Sequence, residues 1–417
     1  MTMEPIYIAG VAQTVFSRRP EVSVKQLTAE ALREVLADAG AEMKHIEAAF
    51  FSNACQDVVE GQANIAGQIA LRAAGLDSIP IVNMENACAS ASTAVWLALQ
   101  YLRSGAGDVA LAIGVEKMTY GQELYDQRVM EMFKGGMDVH DVPATMQRMD
   151  RLGAPPPPEG AAIGHRTAFM DLYATLCRAH MQRFGSTQRQ MAVIASKNHG
   201  HSVHNPRAQF RKPFTVEEVL AGRPLSYPLT VPMCSPFADG AAAAILCTER
   251  GAARLGLSGP RIKVSAYELV SGKERAWEDL EQHAATRAAR KAYEVAGIGP
   301  QDIDVVEVHD ATAFGELFIT ELLGLCPLGE GGILAESGAT TLGGRIPINP
   351  SGGLECRGHP IGATGLAQIF ELTQQLRGQC GPRQVEGARI ALQENGGGFL
   401  GVEEGVAVAS ILERVGN

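Results

Sequence analysis

Gly358-His359-Pro360-Ile361-Gly362-Ala363-Thr364-Gly365 opens directly into the apolar run 366–376, and the reading of the whole chain starts there. Glycine adopts backbone angles that other residues avoid and lets the main chain come close to a ligand. Pro360 fixes one torsion beside the imidazole. A lone histidine elsewhere would read as a satisfied core or surface residue. Three glycines and a proline within eight positions reverse that reading and pose His359 at the mouth of a helix.

A posed base calls for a nucleophile, and Asn86-Ala87-Cys88-Ala89-Ser90-Ala91-Ser92 supplies one ahead of the amphipathic run 93–102. Small residues crowd both sides of the thiol. The pattern predicts a strand-to-turn-to-helix junction with Cys88 at the helix N-terminus, where unpaired N–H groups and the helix dipole favour thiolate over thiol. Burial as a small hydrophobe is the ordinary alternative for a free cysteine.

Outward from these two turns the chain divides into related halves. The first half predicts strands at 6–11, Ala48–Ser52, 79–83 and 109–115. Its helices are Val24–Ala39, 62–74 and 93–102, the first ending near Gly40. The second predicts strands at 262–269, 305–309 and 389–393, with helices at 287–296 and 366–376. The entry Gly362-Ala-Thr-Gly365 plus its helix echoes Cys88 plus its own, which suggests duplication. Alternating strands and helices predict a mostly parallel α/β sheet. The middle, 117–233, differs in texture. It carries Met130, Met132, Met137, Met146 and Met149, an extended surface proline run at 155–158, and helices at 167–184 and 187–200. Those thioethers suit core filling and a pocket wall equally.

Composition narrows the function classes. With 417 residues, 46% of them hydrophobic and 20% charged, the chain can bury large cores. A net charge of −10 argues against nucleic acid or an anionic membrane as the main partner. Eight cysteines without Cys-x-x-Cys spacing read as reduced thiols, neither a disulfide frame nor a metal site. Residues 1–11 lack a charged leader region, no stretch is apolar for long enough to span a bilayer, and Val415-Gly416-Asn417 is not a peroxisomal signal. Together these point to a cytoplasmic protein.

Three motifs in order, Ala-Cys88-Ala-Ser, His309-Asp310 before an apolar stretch, and Gly-His359-Pro-x-Gly-Ala-x-Gly, resemble the thiolase superfamily across nearly the whole chain. The His-Asp form and Asn349-Pro350-Ser351-Gly352-Gly353 resemble its sterol-carrier-protein-2-type, acetyl-CoA acyltransferase-like branch. The resemblance implies a thiolase fold, in which duplicated βαβαβαββ halves form a five-layered αβαβα sandwich with an inserted loop domain. It divides the chain into 1–116 and 234–257 as the N-terminal half, 117–233 as the loop domain covering the CoA and acyl pocket, and 258–417 as the C-terminal half.

The same resemblance implies an acyl-CoA C-acyltransferase that cleaves a 3-ketoacyl-CoA with CoA, or runs the reverse Claisen condensation. Cys88 would carry the acyl group and His359 would ionise it. His309 would join His359 in binding the thioester oxyanion, and the N–H groups of Cys88 and Gly396 would form a second oxyanion hole. Ser235 would lie near the pantetheine arm, its alternative being a turn residue. Coenzyme A enters as substrate and product, with no tightly bound cofactor and no metal. A homodimer or dimer of dimers is implied, and some branch members work with a small OB-fold and zinc-ribbon partner. The alternatives are a retro-aldolase acting on a 3-hydroxyacyl-CoA, which would not need Cys88, and a non-catalytic acyl-CoA-binding subunit.

One departure stands out. Thiolases carry a second cysteine as acid/base for the substrate α-carbon, and at its two usual positions this chain has Glu394 and Ala311. Two replacements are visible. One is Glu394, a carboxyl among glycines whose pKa burial could raise. The other is Cys356, three residues before His359.

Overall fold

Two short hydrogen-bonded pairs, Tyr7 with Lys263 and Ile8 with Ile262, join the halves of this chain into one nine-stranded sheet. The computed structural model describes residues 4–150 and 152–416. Residues 1–3, Arg151, Asn417 and the Met146 side chain lie outside the described residues. The strands are β1 (Ile6–Gln13), β2 (Ala48–Ser52), β3 (Ile81–Met84), β4 (Val109–Glu116), β5 (Gly240–Thr248), β6 (Arg261–Ser271), β7 (Val305–Glu307), β8 (Ile390–Gly397) and β9 (Val406–Val415).

From that junction the sheet runs β1-β5-β4-β2-β3 one way and β6-β9-β8-β7 the other. Pairing repeats as well as order. Each half has two antiparallel pairs followed by a parallel one. The next pairing, β2 with β3 in the first half, is matched in the second by a parallel bridge from Val306 to Ile348. The expected mostly parallel sheet is therefore corrected to a mixed one. The cause is β5 and β9, which enter antiparallel in the middle of each half and which the sequence reading did not include. Gly240–Thr248 reads Gly-Ala-Ala-Ala-Ala-Ile-Leu-Cys-Thr, and alanine has little strand preference of its own. Burial along its whole length, not propensity, makes it a strand.

Helices fill the spaces between and outside the half-sheets. Val24–Ala39 starts from a Ser23/Gln26 capping box and ends at Gly40, whose φ of 60° suits a left-handed cap. Its Leu27, Leu32 and Val35 pack with Leu111, Ile113 and Ile245 on one outer face. Ser90–Arg103 and Thr364–Arg377 share the central layer, where Val95 and Leu99 meet Leu366, Ile369 and Leu376 between the two half-sheets. Ala284–Ala296 lays Ala285, Ala288, Ala289 and Ala292 on the far face. The result is the expected five layers. Each fully buried leucine or valine contributes about 1.5–3 kcal/mol, so Leu99→Ala in the central layer costs roughly 2–5 kcal/mol.

Several boundaries differ from the sequence reading. The helix expected over 62–74 forms only at Ala66–Ala73, because Gly61 and Ile65 both take positive φ. The strand expected at 305–309 stops at Glu307, leaving His309 on a loop. In the middle segment Thr167 and Thr187 are the N-caps of Ala168–Phe184 and Gln188–Ser202, and 155–158 is exposed without regular structure. Among the described residues no helix is long and apolar enough to cross a membrane.

Candidate active site

The helix Ser90–Arg103 begins two residues after Cys88, with Ala89 at its cap. Ala87, just before the thiol, is held at φ 47°. That left-handed angle costs a residue with a Cβ on the order of 1–3 kcal/mol, and the surroundings enforce it. Ser90 Oγ accepts from Asn86 N at 2.8 Å and donates to Ala87 O at 2.6 Å, while Asn86 Nδ2 donates to Thr93 Oγ1 at 3.0 Å. Gly397 closes on the turn from β8, where a Cβ would collide with Asn86 O and Ala89 N. The turn lifts Cys88, half-buried, into a cavity of about 530 Å³.

His309 and His359 face the same cavity. His359 Nε2 lies 3.3 Å from Cys88 Sγ, and its Nδ1 lies 2.7 Å from Thr364 Oγ1. The Thr364 hydroxyl donates to Pro360 O at 3.1 Å, so its oxygen accepts the proton on Nδ1 and leaves a lone pair on Nε2 facing the thiol. His309 has the opposite tautomer. Gln393 Nε2 donates to Ser92 Oγ, Ser92 Oγ donates to Asn395 Oδ1 at 2.7 Å, and Asn395 Nδ2 donates to His309 Nδ1 at 3.1 Å. The proton of His309 is thereby fixed on Nε2. Gln393 is itself pinned by Gly365 O, Gln368 Oε1 and Ser410 Oγ. The site therefore holds one imidazole as a proton acceptor beside a thiol and a second as a donor, with ring centroids 5.2 Å apart.

Electrostatics correct one expectation. In the resting site the Cys88 thiol is pushed up to about 12, by burial first and then by Glu85 and Glu116, against the pull of the N–H groups of Gly398 and of Cys88 itself. Burial, His309 and Arg357 hold His359 well below its ordinary value. Burial and Arg357 lower His309 to about 4. The pair thus rests as neutral thiol and neutral imidazole. Desolvation outweighs the helix N-terminus, and proton transfer across the 3.3 Å contact has to accompany attack. Cys88 Sγ and one nitrogen of each imidazole lie within 4.8 Å of one another, a triangle the size of a three-ligand metal site. The proton on His309 Nε2 opposes that use, because a ligand nitrogen must offer a lone pair.

The other sequence-derived candidates fall in different places. Gly396 and Ser235 line the cavity, although the second N–H reaching the sulfur is that of Gly398. Glu394 is fully buried, shares a face of β8 with Gly396 one pleat deeper, and accepts the backbone N–H of His309 at 3.1 Å. It lies beneath the site without lining the cavity. Cys356 is likewise fully buried, on the short helix Gly353–Arg357, and packs toward Ser202. Met130 and Met132 line the cavity, whereas Met137 and Met149 are core, so the methionines divide between both roles.

Three residues that hold or reach the site escaped the sequence reading, Asn395, Gly398 and Glu116, as did Glu404 on the cavity wall. Asn395 stands between Glu394 and the glycines 396–398, and the two-residue alternation of a strand was the available signal. Glu116 is fully buried and accepts from Asn53 Nδ2, Ala54 N, Cys55 N and Gly362 N. It ties the His359 turn to the first half, and no local pattern marks it.

Family comparison agrees with this geometry. Residues 6–219 match the thiolase N-terminal domain and residues 270–413 the thiolase C-terminal domain-like family. Sterol carrier protein 2 of Rattus norvegicus is 36% identical over 401 residues, covering 94% of this chain and 69% of that protein. An acetyl-CoA acetyltransferase of Methanothermobacter thermautotrophicus is 38% identical over 96% of this chain and 98% of its own. The benzoylsuccinyl-CoA thiolase subunit BbsB of Thauera aromatica is 33% identical over 94% of each. Among solved structures the Ltp2-ChsH2(DUF35) aldolase superposes with a TM-score of 0.76 over 98% of both chains at 22% identity, a likeness of fold. On its family-model matches and its relatives over nearly full length, the chain belongs to the thiolase family.

Proposed function

We propose that this protein is a CoA-dependent thiolase, an acyl-CoA C-acyltransferase working through an acyl-Cys88 intermediate. The observation that carries the reading is the pair of opposed tautomers beside the thiol. The His359 lone pair takes the Cys88 proton as sulfur attacks the C3 ketone of a 3-ketoacyl-CoA. The resulting imidazolium and the His309 Nε2–H then face the thioester oxygen, where charge develops as the C2–C3 bond breaks. The N–H groups of Cys88 and of the Gly396–Gly398 turn stabilise the tetrahedral oxyanion. The same residues serve condensation in reverse.

In this reading segment 117–233 is the loop domain over the pocket, between the N-terminal half (1–116 and 234–257) and the C-terminal half (258–417). Phe133, Phe169, Phe237, Tyr173 and Met170 give the cavity an aromatic and apolar wall, which favours a bulky or ring-bearing acyl group over a short one. Ser235 is placed along the pantetheine arm, coenzyme A is substrate and product, and the protein works as a homodimer or dimer of dimers in the cytoplasm. A small OB-fold and zinc-ribbon partner is a further expectation of this branch.

The test is thiolysis. Acetoacetyl-CoA and benzoylacetyl-CoA are offered with free CoA, and both are expected to be cleaved, the aromatic one with the higher kcat/KM. Cleavage of 3-hydroxyacyl-CoA without free CoA, and of neither ketone, would replace this reading with the retro-aldolase one.

A further inference from the structure

Three carboxylates crowd the C-terminal end of β8, and their surroundings sort them. Glu394 is sealed beneath His309. Glu403 is saturated, accepting from Arg275 Nε at 2.6 Å, Lys273 N at 2.8 Å and Ala284 N at 3.0 Å. Glu404 differs from both. It lines the cavity with a side chain 19% exposed, and its Cγ lies 2.7 Å from where a Cβ on Gly396 would stand, so it is laid flat over a glycine of the catalytic turn.

Among the described residues no hydrogen bond reaches Glu404 Oε2, although His283 Nε2 is 3.2 Å away. His283 accepts the Ala285 N–H on Nδ1 and so carries its proton on Nε2, the nitrogen nearer that carboxyl. Burial, then Arg275 and Arg287, keep His283 neutral. Facing Glu404 are also Tyr173, Glu403, Glu394 and Arg275. Burial, then Glu403 against its own backbone N–H and Arg275, brings Glu404 to about 7, where a carboxyl can both give and take a proton. Ala311, on the same cavity wall, offers only a methyl group.

Resting on the thiolase reading, we propose that Glu404 is the acid/base for the substrate α-carbon. When the Cys88 thiolate has added to C3, the C2–C3 bond breaks and its electron pair passes to C2 as the enolate of the shorter acyl-CoA. The Glu404 carboxyl gives its proton to C2 and becomes carboxylate. That carboxylate then takes the S–H proton of incoming CoA, whose thiolate displaces Cys88 from the thioester. In condensation the carboxylate removes the C2 proton instead.

The experiment measures exchange of the acetyl-CoA methyl protons with deuterated solvent alongside acylation of Cys88 by the same acetyl-CoA. Glu404→Gln is expected to slow exchange about 10²- to 10⁴-fold while Cys88 still acylates fully. Glu404→Asp keeps part of the exchange, and Glu394→Gln stays within a few-fold of wild type. A second readout needs no variant. Wild-type exchange rises with pH through an inflection near 7 that barely moves with temperature, as for a carboxyl and unlike an imidazole or thiol. Wild-type exchange in Glu404→Gln, or a strongly temperature-dependent inflection, overturns the assignment and leaves the thiolase reading standing. No acyl group on wild-type Cys88 removes that reading and this inference together.

Discussion

The two turn-and-helix units of the central layer are alike in shape and unlike in content. Cys88 with Ser90–Arg103 buries serine, threonine, alanine, valine and leucine, and it brings one thiol into the cavity. Gly362 with Thr364–Arg377 buries Gln368, Glu371 and Gln375 among its apolar residues. The second half around it supplies His309, His359, Asn395 and Glu404. Duplicated topology has thus been divided by chemistry. One half presents the Cys88 thiol on a strained turn, and the other carries the polar framework that fixes which nitrogen holds a proton. Buried polar groups are costly unless hydrogen-bonded, so that framework is specified by its partners, Arg383 on Glu371 at 2.9 Å being one example.

The widest break in this division comes from its two imidazoles. His359→Ala and His309→Ala should each lower turnover about 10²- to 10⁴-fold. They differ in a second readout: iodoacetamide alkylation of Cys88 slows in His359→Ala, which has lost the acceptor 3.3 Å from the sulfur, and changes little in His309→Ala. Equal alkylation in both variants and wild type would take the role of base from His359.

The next substitution probes the framework. Asn395→Asp replaces the amide donor to His309 Nδ1 with an acceptor, so the imidazole proton moves to Nδ1 and the donor into the cavity is lost. Turnover should fall roughly 10- to 100-fold with alkylation unchanged, and Asn395→Ala should fall less, because it leaves either tautomer free. An Asp variant more active than the Ala variant would contradict the tautomer assignment.

These cases mark what the sequence could disclose. Cys88 and His359 were legible because small residues, glycines and a proline gather around each within eight positions. The helix Val24–Ala39 was legible because its cap, its apolar period and Gly40 agree. Strand β5 was not, since burial on its whole length makes a strand of an alanine-rich segment with weak local preference; β9 was left out of the reading although its valines and isoleucine favour a strand. Glu394 shows the reach of a motif reading. It stands where the family resemblance expects a second cysteine, but the strand's alternation turns it under the His309 backbone, whereas Glu404, in the turn after β8, reaches the cavity without a local signature.

A smaller effect concerns pH. Burial raises Glu116, Glu307 and Glu404 to about 7 and carries Asp310, Glu355 and Glu394 well above the ordinary range, most of them in the second half. The folded chain therefore keeps protons that the unfolded chain releases near 4.5, and their stabilisation is lost as pH rises toward and past 7. Buried His283, His309 and His359, lowered from 6.5, act oppositely below that value. Above pH 6.5 the carboxyls dominate, with the buried thiols adding in the same direction toward pH 8, so the Tm should fall between pH 6.5 and 8. A Tm rising across that window would mean the carboxyls are ionised in the fold.

The smallest expected change is Cys356→Ala. A fully buried thiol away from the cavity should cost about 1 kcal/mol or less in stability and leave turnover and α-proton exchange within a few-fold of wild type. A large loss of exchange would restore it as an acid/base candidate.

The nucleophile itself is tested most directly by intact-protein mass spectrometry after mixing with acetyl-CoA or benzoyl-CoA in the absence of free CoA. The account predicts one acyl group per chain on the wild-type protein, removed by adding CoA, and none on Cys88→Ala. An unmodified wild type, or an acyl group retained by Cys88→Ala, would contradict it.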